Sequence, residues 1–254
     1  MKILWRYGML ICVLALVFFT TGSVESEEVA DLNAQEIVRQ IETQYQGETS
    51  HTIMTMNVVT EAWSRELRME AWSEGRNKFL ATILSPKKEA GTATLKINDD
   101  MWNYLPRIDR LMKVPSSLMG DSWMGSHLTN DDLVKENKID ELYTFEVEGI
   151  DGQIVSIGCT PKPEAAIVWG RVVYKADMDK KIPITIYYYD EDGELVRTMS
   201  FDRVERISGR WIPLRMSVRP VDEPDEKTEL MYENLEFDVT LPKDLFSVQS
   251  LRRR

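Results

Sequence analysis

Leu84-Ser-Pro-Lys-Lys-Glu-Ala-Gly-Thr-Ala-Thr-Leu-Lys-Ile97, Met101-Trp-Asn-Tyr-Leu-Pro106, Arg110-Leu-Met-Lys-Val-Pro115 and Ser117-Leu-Met-Gly-Asp-Ser-Trp-Met-Gly-Ser-His-Leu-Thr-Asn-Asp-Asp-Leu-Val134 follow one another with few residues between. The order predicts a turn, short strands at residues 93–98, 101–105 and 111–114, and then a glycine-rich loop. That loop carries Leu118, Met119, Trp123 and Met124 around Gly120 and Gly125. Large apolar side chains on a hinged loop are costly in water unless they cover something apolar, so the loop reads as a lid. Thr129, with Asp132 three residues on, predicts the cap of a short helix that closes the block.

Upstream, Asn33 caps a helix with Glu36 at the capping-box position, and Ala34, Ile37, Val38, Ile41 and Tyr45 form its apolar stripe. Residues 51–60, 62–72 and 76–84 then alternate with period two. In the second of them Trp63, Leu67, Met69 and Ala71 share a face opposite Ser64, Glu66, Arg68 and Glu70. Downstream, strands are expected at 142–148, 153–159 and 167–176, with a helical turn at Pro161 and Pro163. Two hairpins follow, 184–190 with 195–204 around Asp192-Gly193, and 211–218 with 228–237 after Ser208-Gly209. So many strands with so little helix between them exclude a parallel α/β sheet and predict one long, curved antiparallel sheet.

The central run, with the mature chain from about Ala34 to Leu251, resembles the LolA-like outer-membrane lipoprotein-sorting proteins. The nearest branch of that family is the one expected to work beside large inner-membrane exporters. There the lid block ends Gly-Ser-Asp-Phe-Thr-x-x-Asp-Leu, whereas this chain reads Gly125-Ser126-His127-Leu128-Thr129-Asn130-Asp131-Asp132-Leu133. The resemblance implies a mainly β fold with few helices, an unclosed antiparallel β-barrel covered by helices and a lid loop. It also implies a cargo class, acylated lipoproteins or lipids, and a partner class, inner-membrane exporters of the RND/MMPL-like or ABC type.

Composition narrows the remaining classes. Hydrophobic residues at 43% and charged residues at 29% suit a chain that builds its own core. Lys2 and Arg6 precede an apolar run from Tyr7 to Thr20 and the small, polar residues up to Ser26. This predicts a signal peptide over residues 1–26, cleavage near Ser26, a single domain over 27–254 and a periplasmic location, with an uncleaved anchor as the competing reading. Cleavage removes Cys12 and leaves Cys159 without an intramolecular partner. The net charge of −11, one unit more negative once Lys2, Arg6 and Glu25 are gone, argues against nucleic acid and allows only transient membrane contact. The basic residues 252–254 read first as a solvated, disordered tail.

No metal or cofactor pattern is present: His51 and His127 lack ligand spacing, and the glycine motifs of nucleotide folds are missing. Gly120-Asp121-Ser122 near His127 resembles the block of some secreted esterases, but those set the Ser at a strand-to-helix turn of an α/β sheet. The expectation is therefore a binding protein rather than an enzyme. Methionine and tryptophan mould to irregular apolar ligands. The lipid-contact candidates are Leu118, Met119, Trp123 and Met124 in the lid, with Trp102, Tyr104, Met112, Met69 and Trp63 in the cavity. The leading function is a carrier that moves acylated cargo between inner and outer membranes. The alternatives are a periplasmic regulator that responds to lipid or lipoprotein and contacts a membrane anti-sigma factor, and, third, a lipid hydrolase using Ser122 and His127.

Overall fold

The computed structural model describes residues 32–44, 47–135, 138–165 and 167–253. The signal peptide expected over residues 1–26, its Cys12, Tyr45 of the helix stripe and Arg254 lie outside the described residues. From Asn33 onward the chain forms one compact unit.

Helix α1 (Ala34–Gln44) begins where Asn33 accepts the Glu36 amide at 3.0 Å. Glu36 does not complete the expected reciprocal box, because its carboxylate is taken by Arg39. Six strands follow: β1 (Thr49–Val59), β2 (Ser64–Glu74), β3 (Lys78–Ser85), β4 (Ala93–Ile97), β5 (Asp100–Leu105) and β6 (Arg110–Lys113). After the lid segment come the short helices α2 (Asn130–Lys135) and α3 (Ile139–Leu142). The second run of strands is β7 (Tyr143–Asp151), β8 (Ile154–Pro161), β9 (Arg171–Asp177), β10 (Ile182–Tyr189), β11 (Leu195–Ile207), β12 (Arg210–Pro220) and β13 (Lys227–Phe237). The β11–β12 turn places Ser208 and Gly209 at φ of 49° and 82°, the left-handed pair that a two-residue hairpin needs. Strand β9 starts at Arg171, later than the sequence suggests, and just before it Gly170 lies against the Asp190 backbone, where a Cβ would sit 2.1 Å from the carbonyl oxygen.

All thirteen strands form one antiparallel sheet in the order β6-β5-β4-β3-β2-β1-β13-β12-β11-β10-β9-β8-β7. It is not closed into a barrel: β6 and β7 are its edges. The topology is two meanders joined in the middle by the long β1–β13 pairing, which runs from Ser50 opposite Phe237 to Val59 opposite Lys227. The segment linking β6 to β7 therefore connects the two free edges of the sheet.

The sheet buries apolar side chains on both faces. One face carries the large cluster that includes Val38, Ile41, Met56, Leu67, Met69 and Ile157. The other is local: Leu80, Ala93, Leu95 and Tyr104 pack beneath a C-terminal segment through Leu245 and Leu251. Residues 252–254 were expected to be a free tail, and the structure corrects this as far as the described residues reach. Leu251 is fully buried, Ser250–Arg253 forms a helical turn, and Arg252 Nε lies 3.7 Å from Asp109. The apolar anchor at Leu251 holds the backbone of the turn in place, while the Arg252 side chain stays 57% exposed. Among the described residues no helix is long and apolar enough to cross a membrane.

Candidate ligand-binding site

Strand β4 illustrates how period two divides the sheet. Ala93, Leu95 and Ile97 face the C-terminal segment, which leaves Thr94 and Lys96 on the opposite face, looking toward the lid. The Trp123 indole N–H donates to the Thr94 hydroxyl at 3.1 Å, and that hydroxyl donates to the Asn103 side-chain oxygen at 2.7 Å. Trp123 is only 3% exposed. The segment that carries it is braced rather than loose. Ser122 pairs with Thr129, the Trp123 amide donates to the Leu128 carbonyl, and the Ser126 hydroxyl donates to the Trp123 carbonyl. Asn130 reaches back with its amide group to the carbonyls of Leu118 and Asp121. The result is a small hairpin that presents Trp123 and Leu128 side by side.

At the end of the lid the capping expected from sequence is reciprocal: the Thr129 amide donates to Asp132, and the Asp132 amide donates to the Thr129 hydroxyl. Asp132 also takes both terminal nitrogens of Arg197 from β11, at 2.7 and 2.8 Å, and Arg197 donates further to the His127 carbonyl. The guanidinium stacks on Trp169 and Tyr188. Burial works against the Arg197 charge, but the Asp132 carboxylate outweighs it and holds the proton more firmly than usual. Beside it, His127 contacts the Thr228 hydroxyl through Nδ1 at 2.9 Å and Glu226 through Nε2 at 3.0 Å. The His127 contact and the Glu61 amide hold the Glu226 carboxyl below the usual carboxylate range, while the Glu226 charge raises that of Glu223. His127, Glu223 and Glu226 present donor atoms within 4.8 Å of one another, but two of the three already satisfy each other.

Trp123 and Leu128 line a cavity of about 210 Å³. Its walls come from β4, β3, β2, β1, β13, β12 and β11, through residues such as Lys96, Phe79, Trp72, Met54, Leu230, Met216 and Phe201. Seven neighbouring strands laid flat span about 29 Å at the usual spacing. For the outermost of them to line one small cavity, the sheet must curl strongly around it. An engineered cavity of about 150 Å³ takes a benzene-sized guest, and ligand pockets generally run from about 300 to 1,000 Å³. The space lies between these two, large enough for a small apolar group and smaller than a typical ligand pocket.

Of the residues singled out from sequence, Trp123 lines this cavity. Met69 is fully buried in the same core and Met124 packs partly against it. Trp102 and Tyr104 belong to the opposite face, with the C-terminal segment. Leu118 and Trp63 are 46% and 44% exposed, while Met119 and Met112 are half-buried outside the cavity wall. The Arg65 guanidinium bonds the Met124 carbonyl and lies over the Trp63 ring. The Ser122 hydroxyl donates to the Ser126 carbonyl at 2.5 Å, while the His127 ring is turned to Thr228 and Glu226. Sequence reasoning passed over Leu128, the second-half residues Phe201, Met216, Leu230, Tyr232 and Leu235, and the cations Arg76, Lys78 and Lys96. The apolar ones carried a signal in the alternation of β13, where Leu230 and Tyr232 share a face.

A family model described as an uncharacterized protein matches residues 75–253. A search of curated proteins gives no match. Among solved structures, the chain is similar to a domain from Vibrio parahaemolyticus described as an outer membrane lipoprotein-sorting protein, with 24% identity and a TM-score of 0.76 over 87% of this chain and 98% of that one. It is similar to a DUF1329 family protein from Desulfovibrio piger, with 24% identity and a TM-score of 0.78 over 86% and 97%. It is also similar to a LolA superfamily protein from Nitrosomonas europaea, with 18% identity and a TM-score of 0.70 over 85% and 98%. These likenesses are of fold.

Proposed function

The chain belongs to the family whose model spans residues 75–253 and has the LolA-like fold, and from that premise we propose that it is a non-enzymatic carrier. In this reading it takes the acyl part of a lipid or lipoprotein into the hollow behind the lid. Export by residues 1–26, action in the periplasm, receipt of cargo from an inner-membrane exporter and delivery to the outer membrane belong to the same proposal. The observation that supports it is that Trp123 and Leu128, from the segment joining the sheet's two edges, line a largely apolar cavity together with residues of seven strands.

Burying one methylene is worth about 0.8 kcal/mol, so an acyl chain of about 16 carbons resists entering water by roughly 12 kcal/mol. A carrier has to match that surface and still release the chain. Exchange does both, since the ligand's contacts replace those that Trp123 and Leu128 make with the empty hollow, and the net affinity is the difference.

Native mass spectrometry of the protein purified from periplasmic extract, with lipid extraction of the same sample, tests the reading. The expected result is a bound lipid or lipopeptide on the chain. A ligand-free mass, together with failure to take up an added fluorescent fatty acid, overturns it.

A further inference from the structure

A second, smaller cavity of about 40 Å³ lies in the same core, lined by Tyr143 of β7, Val172 and Tyr174 of β9, Tyr188 of β10, Met199 of β11 and Ile139 of α3. The carboxylates in its wall are already paired, Asp131 with Lys135 and Asp132 with Arg197. What it offers a guest is therefore aromatic and aliphatic surface.

The two cavities adjoin. Glu42 lines the larger one and accepts at 2.9 Å from the hydroxyl of Tyr174, which lines the smaller. Phe201 lines the larger and Met199 the smaller, and these alternate residues of β11 share a face with Cα atoms roughly 7 Å apart. On α2, Leu133 and its neighbour Asp132 divide in the same way. The partition is thus a layer of side chains, with the Glu42–Tyr174 pair on one side and Met199 on the other. Its two parts differ in how readily they move. Separating a buried hydrogen-bonded pair leaves polar groups unsatisfied and is costly. Methionine is unbranched and reshapes itself at little cost, so Met199, 1% exposed and packed in the core, is the part that yields.

Resting on the carrier reading, we propose that the smaller cavity is the end chamber of the acyl site, entered by the methyl end of a long chain when Met199 swings aside, and that Met199 and Val172 thereby set the longest chain the protein buries completely. Neither cavity reaches the size of a typical ligand pocket, and joining them lengthens the path available to a chain. Each methylene buried raises affinity about fourfold, whereas methylenes that find no room stay in water and add nothing. Affinity plotted against chain length therefore rises and then bends to a plateau, and the bend marks the depth of the site.

The test titrates the saturated fatty acids from octanoic to stearic against the purified full chain by calorimetry, in wild type, Met199→Phe and Met199→Ala, with thermal unfolding recorded for each. Met199→Phe, whose rigid ring cannot swing aside, is expected to bring the bend down by two or more carbons, and Met199→Ala to raise it. Should neither variant fold, Val172→Ile, which adds one methylene to the chamber wall, is expected to bring the bend down by one carbon. A bend at the same length in wild type and in every folded variant, or no bend in any of them, overturns the end chamber and leaves the carrier reading standing. Binding of none of the acids overturns both.

Discussion

Arg197 fastens the lid to the sheet through one side chain, bonding both oxygens of Asp132 and the His127 carbonyl while stacked on Trp169 and Tyr188. Removing one partner of a buried ion pair strands the other charge, at a cost of about 3–5 kcal/mol. Arg197→Ala is thus expected to lower unfolding stability by that amount in urea titration, and a loss comparable to an exposed pair would show that the pair does not anchor the lid. The second fastening, His127 to Glu226, is weaker and depends on pH. The folded protein holds the Glu226 carboxyl below its usual range, so its contribution is present above the ordinary carboxylate range and is lost as pH falls through the lowered value. Glu223 is raised and acts in the opposite sense, so the comparison belongs in a Glu223→Gln background. There, adding Glu226→Gln should lower the melting temperature at neutral pH, with the difference closing as pH falls below the ordinary carboxylate range. A difference that stays constant into acid would show that the charge on Glu226 contributes nothing.

The lid is where sequence and structure part company in an instructive way. Its glycines and large apolar residues read as a cover, but of Leu118, Met119, Trp123 and Met124 only Trp123 lines the cavity, and Leu118 stays 46% exposed. Which of them points inward was not legible. That depends on the Ser122–Thr129 pairing and on the Thr94 hydroxyl, contacts that arise only once β4 and the lid are brought together. Leu128, standing where the family pattern has a Phe, lines the cavity together with Trp123. The cations were hidden for a different reason: in an alternating strand a lysine reads as the solvent face, and only a sheet covered on both sides turns Lys96 inward. The element as a whole makes a prediction that its side chains alone do not. Trp123→Ala should cost about 3–5 kcal/mol of stability, as large-to-small changes in cores do, and yet bind palmitic acid more tightly, because the ligand no longer has to displace the indole. Reduced affinity along with reduced stability would make Trp123 part of the wall rather than the plug.

At the scale of the whole molecule, the sheet order separates stability from binding. Two meanders meet at β1 and β13, so the hollow is lined by strands from both ends of the chain, while its open edges, β6 and β7, are bridged by the lid. The strands of that hollow were legible from period two alone. Their closure into one curled sheet depends on the β1–β13 register, which no local pattern encodes. The same closure places the C-terminal segment on the far face of β3, β4 and β5, with Leu245 and Leu251 packed on Leu80, Leu95 and Tyr104. Leu251 therefore touches the side of β4 opposite Thr94 and Lys96. Leu251→Ala should remove about 2–5 kcal/mol by leaving a cavity under that segment, measured by chemical unfolding. Its affinity for a fatty acid should match wild type at temperatures where both proteins remain folded. If affinity falls with stability, the two faces of β4 move as a unit, and the outer packing takes part in opening the hollow as well as in supporting it.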